Sequence, residues 1–562
     1  MATTTPTPST PSTSTRPSTS APSATATPGA TPTITKLSAG QKKVVVDPIT
    51  RIEGHLRITC VVENGKIVDA WNTATMFRGF EIFMKNRDPR DLWQFAQRIC
   101  GVCPTPHAHT SVLATEHALG IKTVPDNARI IRNMMEATHM GYDHTLWFYV
   151  LNAFDYVNVP NALNAKPTTQ ALKDLQATLK TFVASGQLGP FAKMWWDNPG
   201  YKLPAELDLE LTAHYLAAIE NQQVANDAQA YMGGKFPMVM NYTPGGMQGL
   251  PSIEEIQYYI GQMSVVKSFI DGVMIPDLLA IAPFYIDLAK VGQGVGNYLA
   301  WGLFDDKTQD PYNRVLPRGA IVGRDLSSVE KVDPDEVRMY TKNSYYGDGV
   351  GAGKHPLDAG QEPIDFTAYP DMSPTGPLPS GKYDWTQSAR YGKNALPMEV
   401  GPLANILVAY AAGKPYVKTL VDQVLTAVGA PGNPSVLMSD LGRIAARVIE
   451  AKVNVDFAQQ WADELLANIK GGNTEVYTPV SIPSSGEGSG GWNAPRGALA
   501  HYVRIENGKT SAYAAVPPSN WNLSPRDDNG VRGPVEQALI GTPIANVSQP
   551  LEILRVVHTF DP

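Results

Sequence analysis

The stretch Arg98-Ile99-Cys100-Gly101-Val102-Cys103-Pro104 holds two of the three cysteines in a chain of 562 residues. A Cys-x-x-Cys turn directs two thiolates to one side, which suits a soft or borderline metal ion or a redox-active disulfide. Gly101 permits the tight backbone path between the two sulfurs. Taken alone, the motif leaves two other interpretations open. A thioredoxin-like redox pair would follow a strand of a small βαβ unit, and a zinc half-site would need a second pair of ligands.

Composition narrows the class of protein. The third cysteine, Cys60, stands in an alternating apolar run and is interpreted as a small buried hydrophobe, so no disulfide framework is expected. The apolar fraction of 43% is enough for a packed interior, and the length predicts several cores or one large body. The net charge is −7 and no basic stripe is present, which argues against nucleic acid as a partner.

The N-terminal residues 1–41 are predicted to be a disordered tail, because residues 1–38 are rich in Thr, Ser, Pro and Ala and carry no acid. The tail lacks the apolar middle of a secretory signal and contains no twin-arginine pattern. Further along, the apolar run Val273–Ile286 is interrupted by Pro276, Asp277 and Pro283. We therefore interpret it as buried core and expect no direct membrane span.

Two hairpins are predicted at opposite ends of the chain. Asn64-Gly65 stands between the alternating runs 56–62 and 66–71, and Asn507-Gly508 stands between the runs 502–506 and 511–516. Asn-Gly favours the type I′ turn of a two-residue hairpin. We therefore expect small antiparallel sheets near the two ends of the chain, each next to one half of the active site.

The middle of the chain is predicted to be helical. Apolar periodicity predicts helices over about 125–154, 211–232, 402–412 and 436–470, and a capping-box pattern at residues 252–255 starts another. Gly and Pro cluster in residues 290–400, which predicts an irregular wrapping segment. The body, 42–562, is divided into 42–124 with the first sheet and the cysteine motif, 125–290 as a helical bundle, 291–400 as the wrapping segment, 401–472 as further helices, and 473–562 with the second sheet.

Further motifs stand on both sides of the cysteine pair. They are Asp47–His55 (DPITRIEGH), Arg78–Glu81 (RGFE), His107, Ala494–Gly497 (APRG), Pro518–Asn522 (PSNWN) and Phe560–Pro562 (FDP). In this order, from about Val44 to the last residue, they resemble the large subunit of nickel-iron hydrogenases. The form Cys-Gly-Val-Cys-Pro-Thr-x-His is most similar to the nickel-iron-selenium subgroup. The fold that the resemblance implies is an α-rich α+β fold, a central bundle of long helices with small antiparallel sheets, which the quinone-site subunit of respiratory complex I shares.

The resemblance implies a nickel-iron centre. Cys100 would be a terminal nickel ligand, and Cys103 would bridge nickel and iron, whose remaining ligands would be carbon monoxide and two cyanides. Arg496 would face the cavity over the metals and hold one cyanide, since a guanidinium stays charged and offers several donors. Ser519 would hydrogen-bond the second cyanide, and Pro495 would line that pocket.

Two glutamates carry further expectations. By resemblance Glu53 is the first proton carrier out of the site, a role that needs burial to bring its pKa toward neutrality. The alternative for Glu53 is an ion pair with Arg51 or His55. Glu81, by resemblance, binds a magnesium ion together with the backbone carbonyl of Ala515 and a C-terminal histidine. A hard carboxylate oxygen suits magnesium, and the alternative for Glu81 is a solvated side chain on a helix.

The remaining expectations concern residues around the metals. His107 would donate a hydrogen bond to the bridging sulfur, and its alternative is a histidine on a helix surface. Asp143 and Asp561 would pair with Arg496, although Asp143 could instead bond locally on its own helix. The motif Glu399–Leu403 also matches the family and is assigned only to packing.

The family's C-terminal Cys-x-x-Cys-x-x-His would begin directly after Pro562. Three explanations compete: a truncated and inactive form, a metal-free relative similar to the complex I subunit, or selenocysteine as the next residue. Selenocysteine is encoded by UGA, which ordinary translation reads as stop. The retention of Glu53 and Arg496 beside both cysteines argues against a metal-free scaffold, and the subgroup resemblance around Cys103 favours selenocysteine.

The function that follows from the resemblance is that of a hydrogenase catalytic subunit, an enzyme that reversibly oxidises molecular hydrogen by heterolytic cleavage. The alternative is a metal-free structural or quinone-site-like subunit of a respiratory complex. Electrons would leave through an iron-sulfur small subunit, because this chain has no cysteines to hold clusters. Maturation proteins would insert the metals. The location would be periplasmic or membrane-associated by co-export with the small subunit, with the cytoplasm as the alternative.

Overall fold

The structure is a computed structural model that describes residues 29, 31–186, 194–347, 353–360, 363–365 and 375–562. Most of the predicted tail lies outside these ranges. In its described portion, the backbone amide of Thr31 donates to the carbonyl of Gly530 at 3.1 Å, and the amide of Ile34 donates to the Asp69 carboxylate at 2.7 Å. These bonds tie the residues before the first strand to the body of the molecule.

The strands of the described residues form small antiparallel sheets. Two sheets have three strands, in the orders β1-β2-β3 and β10-β11-β12, and three more are strand pairs, β4-β5, β6-β7 and β8-β9. The strands are β1 Lys42–Val46, β2 Leu56–Glu63, β3 Lys66–Ala74, β4 Tyr242–Thr243, β5 Gly246–Met247, β6 Tyr298–Ala300, β7 Gly319–Ile321, β8 Val337–Tyr340, β9 Ser388–Tyr391, β10 Ser485–Ala494, β11 Gly497–Glu506 and β12 Lys509–Val516.

Helices make up most of the remaining regular structure. Those of the described residues are α1 Phe80–Phe83, α2 Leu92–Ala96, α3 Pro104–Ala118, α4 Asp126–Leu146, α5 Gln170–Ala184, α6 Ala205–Gly233, α7 Ile253–Phe269, α8 Ile275–Ile281, α9 Pro356–Ala359, α10 Pro402–Ala411, α11 Pro415–Ala427, α12 Asp440–Lys470, α13 Pro518–Asn522, α14 Pro534–Leu539 and α15 Leu551–Thr559. The long helices α4, α6, α7 and α12 pack together around one apolar core. The predicted fold class, a helix bundle with small antiparallel sheets, is confirmed.

Both Asn-Gly hairpins form as predicted. Asn64 and Gly65 have φ of 51° and 73°, and Asn507 and Gly508 have φ of 51° and 70°, the left-handed pair that a type I′ turn requires. The second hairpin begins at Gly497, earlier than predicted, and its first strand also pairs with β10. The two hairpins therefore belong to two separate three-stranded sheets.

Strand β10 was missed by the sequence analysis because it is rich in glycine, which favours no strand. Its glycines allow close contact with α3. A Cβ added at Gly488 would lie 2.2 Å from the backbone nitrogen of Ala118, and one at Gly490 would lie 2.5 Å from that of Ala114. The strand thus lies directly against the helix that follows the cysteine motif.

The bundle helices agree with the sequence pattern and extend it. The predicted helix 125–154 is α4, continued by a π-helical turn over Trp147–Asn152. The predicted helix 211–232 begins earlier, at Ala205, and α7 starts with the predicted capping box of Ser252 and Glu255. The C-terminal end of α12 is at Lys470, directly before Gly471.

One helix of the described residues, 253–290, is long and apolar enough by length and composition to cross a membrane, and 39% of its most apolar window is buried inside the molecule. The helix packs against α6 and α12, and Tyr259 and Val266 on its inner side are buried. Its outer side exposes Val265, Leu279 and Ile286. The prediction that Val273–Ile286 is buried core is therefore right for one side of the helix only.

Candidate metal centre

Cys100 and Cys103 stand at the point where a short turn meets α3. Cys100 is extended and Cys103 is the residue before the first turn of α3, so that its backbone N–H donates to the Cys100 sulfur at 3.2 Å. The two side chains are buried, with exposed fractions of 6% and 5%. The hydrogen bond from the Cys103 thiol, helped by the positive charge of Arg496, holds the pKa of Cys100 below its usual value. The turn thus places two sulfurs side by side, and the Cys100 thiol is the one whose pKa is lowered.

Arg496 occupies the tip of the β10-β11 hairpin. Ala494 pairs with Gly497, which leaves Pro495 and Arg496 as the two turn residues. Gly497 has φ of 120°, and a Cβ there would lie 2.2 Å from the backbone nitrogen of Gly401. The tip is therefore seated against the start of α10, and the Arg496 charge acts on both Cys100 and Cys103.

Two buried carboxylates hold Arg496. Its Nη1 donates to Asp143 at 3.3 Å, and its Nη2 lies 3.0 Å from Asp561. Burial opposes the ionisation of Asp143, but the Arg496 charge outweighs it and lowers the pKa of Asp143 to about 2. Asp143 therefore pairs across the fold, in addition to a 3.7 Å approach to His139 on its own helix.

Arg447 of α12 is a residue that the sequence analysis missed. It lies 3.0 Å from Asp561 and donates to the carbonyl of Pro495 at 3.1 Å. The same nitrogen lies 3.1 Å from Nδ1 of His144, whose Nε2 is 3.7 Å from Glu450. A signal was present, since charged residues recur at helical spacing on the buried side of α12.

Glu53 lies beside the cysteine turn but is exposed. Its Oε1 accepts the N–H of Gly101 at 3.3 Å. The expectation that Glu53 is buried is therefore wrong for this chain by itself. The alternative expectation, an ion pair with Arg51 or His55, does not hold either, because both of those side chains pair with aspartates.

His107 is buried, so the interpretation as a surface histidine is wrong. Its Nδ1 lies 3.0 Å from Nε2 of His501 on β11. Burial lowers the pKa of His107 to about 3, with the Arg496 charge acting in the same direction. The ring is therefore neutral at physiological pH, with one nitrogen that donates and one that accepts.

Glu81 and Ala515 line one cavity of about 220 Å³, between α1, β12 and the loop before β9. Burial raises the pKa of Glu81 above its usual value. The side chain is thus not the solvated glutamate of the alternative interpretation. Ser519 lies in the first turn of α13, directly before Asn520, which also lines the cavity. The cavity therefore combines the Glu81 carboxylate with the Arg78 side chain and with neutral polar groups.

The arrangement fits a metal centre in which some of the ligands are not side chains of the described residues. No group of three or more His, Cys, Asp or Glu side chains in the described ranges is placed to hold a metal ion by itself. The site offers two buried sulfurs, and beside them the buried Nε of Arg496 has no hydrogen-bond partner among the described residues. A donor left in this way suits a bound group that accepts hydrogen bonds. Cys60 lies apart in β2, and burial raises the pKa of its thiol.

Comparison with known proteins decides the family. The family model described as nickel-dependent hydrogenase matches residues 78–562, and a HoxL-like model matches residues 43–72. The chain belongs to the nickel-dependent hydrogenase family. It is 40% identical to the uptake hydrogenase large subunit of Rhizobium leguminosarum bv. viciae, covering 93% of this chain and 94% of that protein. It is 39% identical to the hydrogenase-2 large chain of Escherichia coli K12, covering 93% and 96%.

Solved structures agree with this assignment. The Ni-Fe-Se hydrogenase of D. vulgaris Hildenborough in the reduced state superposes with a TM-score of 0.77 at 31% identity, covering 93% of this chain and 98% of that one. The [NiFeSe] hydrogenase of Dm. baculatum gives a TM-score of 0.75 at 30% identity, over 93% and 99%. The protein is therefore a hydrogenase large subunit, an oxidoreductase of a family with a nickel-iron centre whose large subunits pair with a small subunit. The alternative of a metal-free respiratory subunit is set aside.

Proposed function

We propose that this hydrogenase large subunit oxidises molecular hydrogen at a nickel-iron centre bound by Cys100 and Cys103. The observation that carries the proposal is the buried pair of sulfurs beside a buried guanidinium with an unpaired Nε. In a chain of this family, that combination supplies soft ligands together with a hydrogen-bond donor for the groups on the metals. When bound, the centre supplies heterolytic cleavage of hydrogen and uptake of its electrons.

Each residue of the site has a defined part. Cys100 and Cys103 would hold the metals. Cys60 lies apart in β2 and cannot be a third ligand, so nickel would need two further ligands that are not cysteines of this sequence. The free Nε of Arg496 would donate to the iron ligands, which we propose to be carbon monoxide and cyanide. Asp143 and Asp561 fix the guanidinium so that it cannot rotate away. Pro495 and Ser519 would line the space around those ligands.

Glu53 would accept the proton that leaves the metal site. Its carboxylate is held at the cysteine turn by the N–H of Gly101, one residue after Cys100. From that position it can accept a proton from the Cys100 side and release it to solvent, to which it is open. Positioning by the backbone, and not burial, therefore supports the role of Glu53 in the isolated chain.

A magnesium ion is proposed for the cavity that Glu81 and Ala515 share. A buried carboxylate with a raised pKa stays ionised only if a cation or donors compensate it. The carbonyl of Ala515 and the amide of Gln387 are neutral oxygen groups at the same cavity, as magnesium sites use.

Electrons leave to a partner. The one cysteine outside the motif, Cys60, is buried in a sheet, so this chain has no thiolates for an iron-sulfur cluster. We therefore propose a small subunit that carries the clusters, together with maturation proteins that insert the metals. The proposed location is the periplasm or the membrane surface by co-export with the small subunit. Selenocysteine after Pro562 stays a prediction, checked by the nucleotides that follow that codon.

Hydrogen-dependent reduction of a redox dye by the purified two-subunit enzyme tests the proposal. Cys103→Ser should abolish nickel binding and dye reduction, because a hydroxyl is a poor ligand for a soft metal site. Cys60→Ala removes a cysteine that is also buried and should retain nickel and activity. Full nickel content in Cys103→Ser would refute the assigned ligand.

A further inference from the structure

Arg447 of α12 is almost fully buried and makes four contacts behind the hairpin tip. Its Nη1 donates to the carbonyl of Pro495 and to Nδ1 of His144, each at 3.1 Å. The same nitrogen lies 3.0 Å from the carboxylate of Asp561. The guanidinium carbon lies 4.4 Å from the centre of the Trp147 ring. Arg447 therefore connects α12 with the hairpin tip, with the segment after α15 and with the end of α4.

Two of these contacts act on the residues that hold Arg496. Pro495 directly precedes Arg496, so the bond to the Pro495 carbonyl fixes the peptide group through which Arg496 is attached. Asp561 lies between the two guanidinium groups, with Oδ1 3.0 Å from Arg496 and Oδ2 3.0 Å from Arg447. A carboxylate held in this way cannot rotate without losing one of its two cations. Arg447 thus sets the backbone of the tip and one of the two carboxylates that contact Arg496.

The charges of the group depend on Arg447. The side chains of Asp143, Arg496, Asp561 and Arg447 follow one another with alternating sign, and all four are buried. The negative charge of a further buried carboxylate, Glu450, also acts on Arg447. Without Arg447, the buried carboxylates would outnumber the guanidinium groups, and an uncompensated charge in the interior is costly. Asp561 would then share Arg496 with Asp143 and have no cation of its own.

Arg447 can orient its neighbours because it is itself held in one orientation. His144 and Trp147 stand three residues apart at the end of α4, and they contact the guanidinium through a hydrogen bond and a ring face. Arginine only donates, so Nδ1 of His144 must accept. The Trp147 indole is fixed in turn, because its N–H donates to the carbonyl of His558 at 2.9 Å. A planar guanidinium can lie on a ring and donate at its edge together, which a lysine ammonium cannot do.

We propose that Arg447 is a positioning residue that holds Arg496 in its working orientation, by fixing the Pro495 carbonyl and the Asp561 carboxylate together. The inference rests on the proposed role of Arg496 as a hydrogen-bond donor to the iron ligands. Placement of such a donor matters, since a displacement of about 1 Å can cost about a hundredfold in rate.

Substitutions of Arg447 should have graded effects in the assembled two-subunit enzyme. Arg447→Lys keeps the charge but cannot hold Pro495 and Asp561 while it lies on Trp147. It should retain nickel and lose hydrogen oxidation by about tenfold, less than the full cost of a misplaced group. The infrared bands of the cyanides should shift in the same direction as in Arg496→Lys, and by a smaller amount. Arg447→Met, which has no charge and no donor, should cause a larger loss and a larger shift.

A double variant separates positioning from a general structural role. If Arg447 acts through Arg496, Arg447→Lys should have little further effect on turnover or on the cyanide bands in the Arg496→Lys background. Losses that multiply in the double variant would overturn the inference. Wild-type turnover and bands in the single variant Arg447→Lys would overturn it as well.

Arg132→Lys is the matched control, because Arg132 is another buried arginine of the helix bundle. It pairs with Glu116 of α3 at 2.7 Å and donates to the carbonyl of Gly246 in β5 at 2.8 Å. The variant should lose stability but keep wild-type turnover per bound nickel and wild-type cyanide bands. Shifts equal to those of Arg447→Lys would show that any buried arginine of the bundle has this effect, and would overturn the inference.

A measurement on the unaltered enzyme covers the case in which the Arg447 variants do not fold. A crystal structure of the metal-loaded enzyme should show Arg447 within hydrogen-bond distance of both the Pro495 carbonyl and Asp561, and an Arg447 turned away from them would overturn the inference. Failure of the inference is distinct from failure of the proposed function. If Arg496→Lys loses turnover while Arg447→Lys does not, the role of Arg496 stands and only that of Arg447 fails. Near-normal turnover in Arg496→Lys would overturn both.

Discussion

At the scale of single residues, Arg496 joins three distant parts of the chain. Its guanidinium reaches Asp143 of α4 and Asp561 at the end of α15, and both carboxylates are buried. Burying such an ion pair costs desolvation energy. Removing one partner destabilises the protein far more than replacing the whole pair with apolar residues, because the remaining charge is left buried and uncompensated. The planar fork of arginine is what allows two carboxylates and a bound group to be contacted together.

Arg496→Lys should therefore assemble with nickel but lose hydrogen oxidation by about a hundredfold or more, the effect of removing a preorganised donor. A lysine ammonium reaches one carboxylate and has no second nitrogen for the iron ligands. Turnover of the purified enzyme and its nickel content are the two measurements. Arg504→Lys, on the strand β11 that follows Arg496, is the control and should behave as wild type, because this half-buried side chain pairs with Glu487 and Asp358 away from the site. Near-normal turnover in Arg496→Lys would remove the guanidinium from the mechanism.

Glu53→Gln should leave the metals in place and slow proton exit by about 10²- to 10⁴-fold, since the amide keeps the bond from Gly101 but cannot carry a proton. Hydrogen-deuterium exchange catalysed by the enzyme measures the step directly. Glu63→Gln changes another glutamate near the same sheet and should have no effect. Unchanged exchange in Glu53→Gln would show that protons leave elsewhere.

Sequence motifs identified the residues of the site but not all of their partners. The cysteines, Arg496 and Glu81 were recognisable because each belongs to a short motif. The contact of His107 with His501 was not predicted, because a hydrogen bond between residues 394 positions apart leaves no local pattern. Arg447 was missed although charged residues recur at helical spacing along α12. The exposure of Glu53 was also missed, since burial depends on which surfaces cover it.

At the scale of elements, local turn chemistry was the most predictable feature. Asn-Gly fixed both hairpins, and apolar periodicity located the bundle helices. Strand β10 could not be predicted, because its glycines are required by contact with α3 and not by strand propensity. The same reason applies to the hairpin tip at Gly497, whose conformation depends on the neighbouring backbone of Gly401.

Gly497→Ala tests whether the hairpin tip positions the site. A Cβ there would lie 2.2 Å from the Gly401 nitrogen at φ of 120°, so the tip must move and displace Arg496. We expect a cost of about 1–3 kcal/mol in stability and a loss of turnover similar to that of Arg496→Lys. Gly508→Ala, at the other end of β11, also has positive φ but has no atom within 4 Å of the added Cβ among the described residues. It should lose a comparable amount of stability while keeping full activity per bound nickel, and equal activity losses in both variants would contradict a specific role for the tip.

At the scale of the whole molecule, buried charges make stability depend on pH. Burial raises the pKa of Glu136 in α4 to about 8, although the Tyr242 hydroxyl donates to it. A carboxyl with a raised folded-state pKa contributes stability that is complete below the unfolded value of about 4.5 and is lost as the pH rises through about 8. Glu136→Gln should therefore raise the unfolding temperature near pH 9 and leave it nearly unchanged near pH 4.5. The gain in the free energy of unfolding at high pH is about 1.4 kcal/mol for each unit by which folding raises the pKa of Glu136. Equal effects at both pH values would show that Glu136 is ionised in the folded protein.

The cavity at Glu81 joins α1, the segment before β9 and strand β12, so a cation there would fasten three parts of the chain that are far apart in sequence. Binding to the folded state alone stabilises it by RT ln(1 + [Mg²⁺]/Kd), which is about 2.7 kcal/mol at a hundredfold excess over Kd. We therefore expect magnesium to raise the unfolding temperature of the wild-type enzyme and to have little effect on Glu81→Gln. In the absence of magnesium, Glu81→Gln should have the higher unfolding temperature of the two proteins. Burial raises the pKa of the Glu81 carboxyl, which makes its ionisation unfavourable, whereas the amide of the variant carries no charge. Glu63→Gln leaves the cavity intact and should respond to magnesium as wild type does. An unfolding temperature of the wild type that is independent of magnesium, with no magnesium found by metal analysis, would show that Glu81 serves the cavity without a cation.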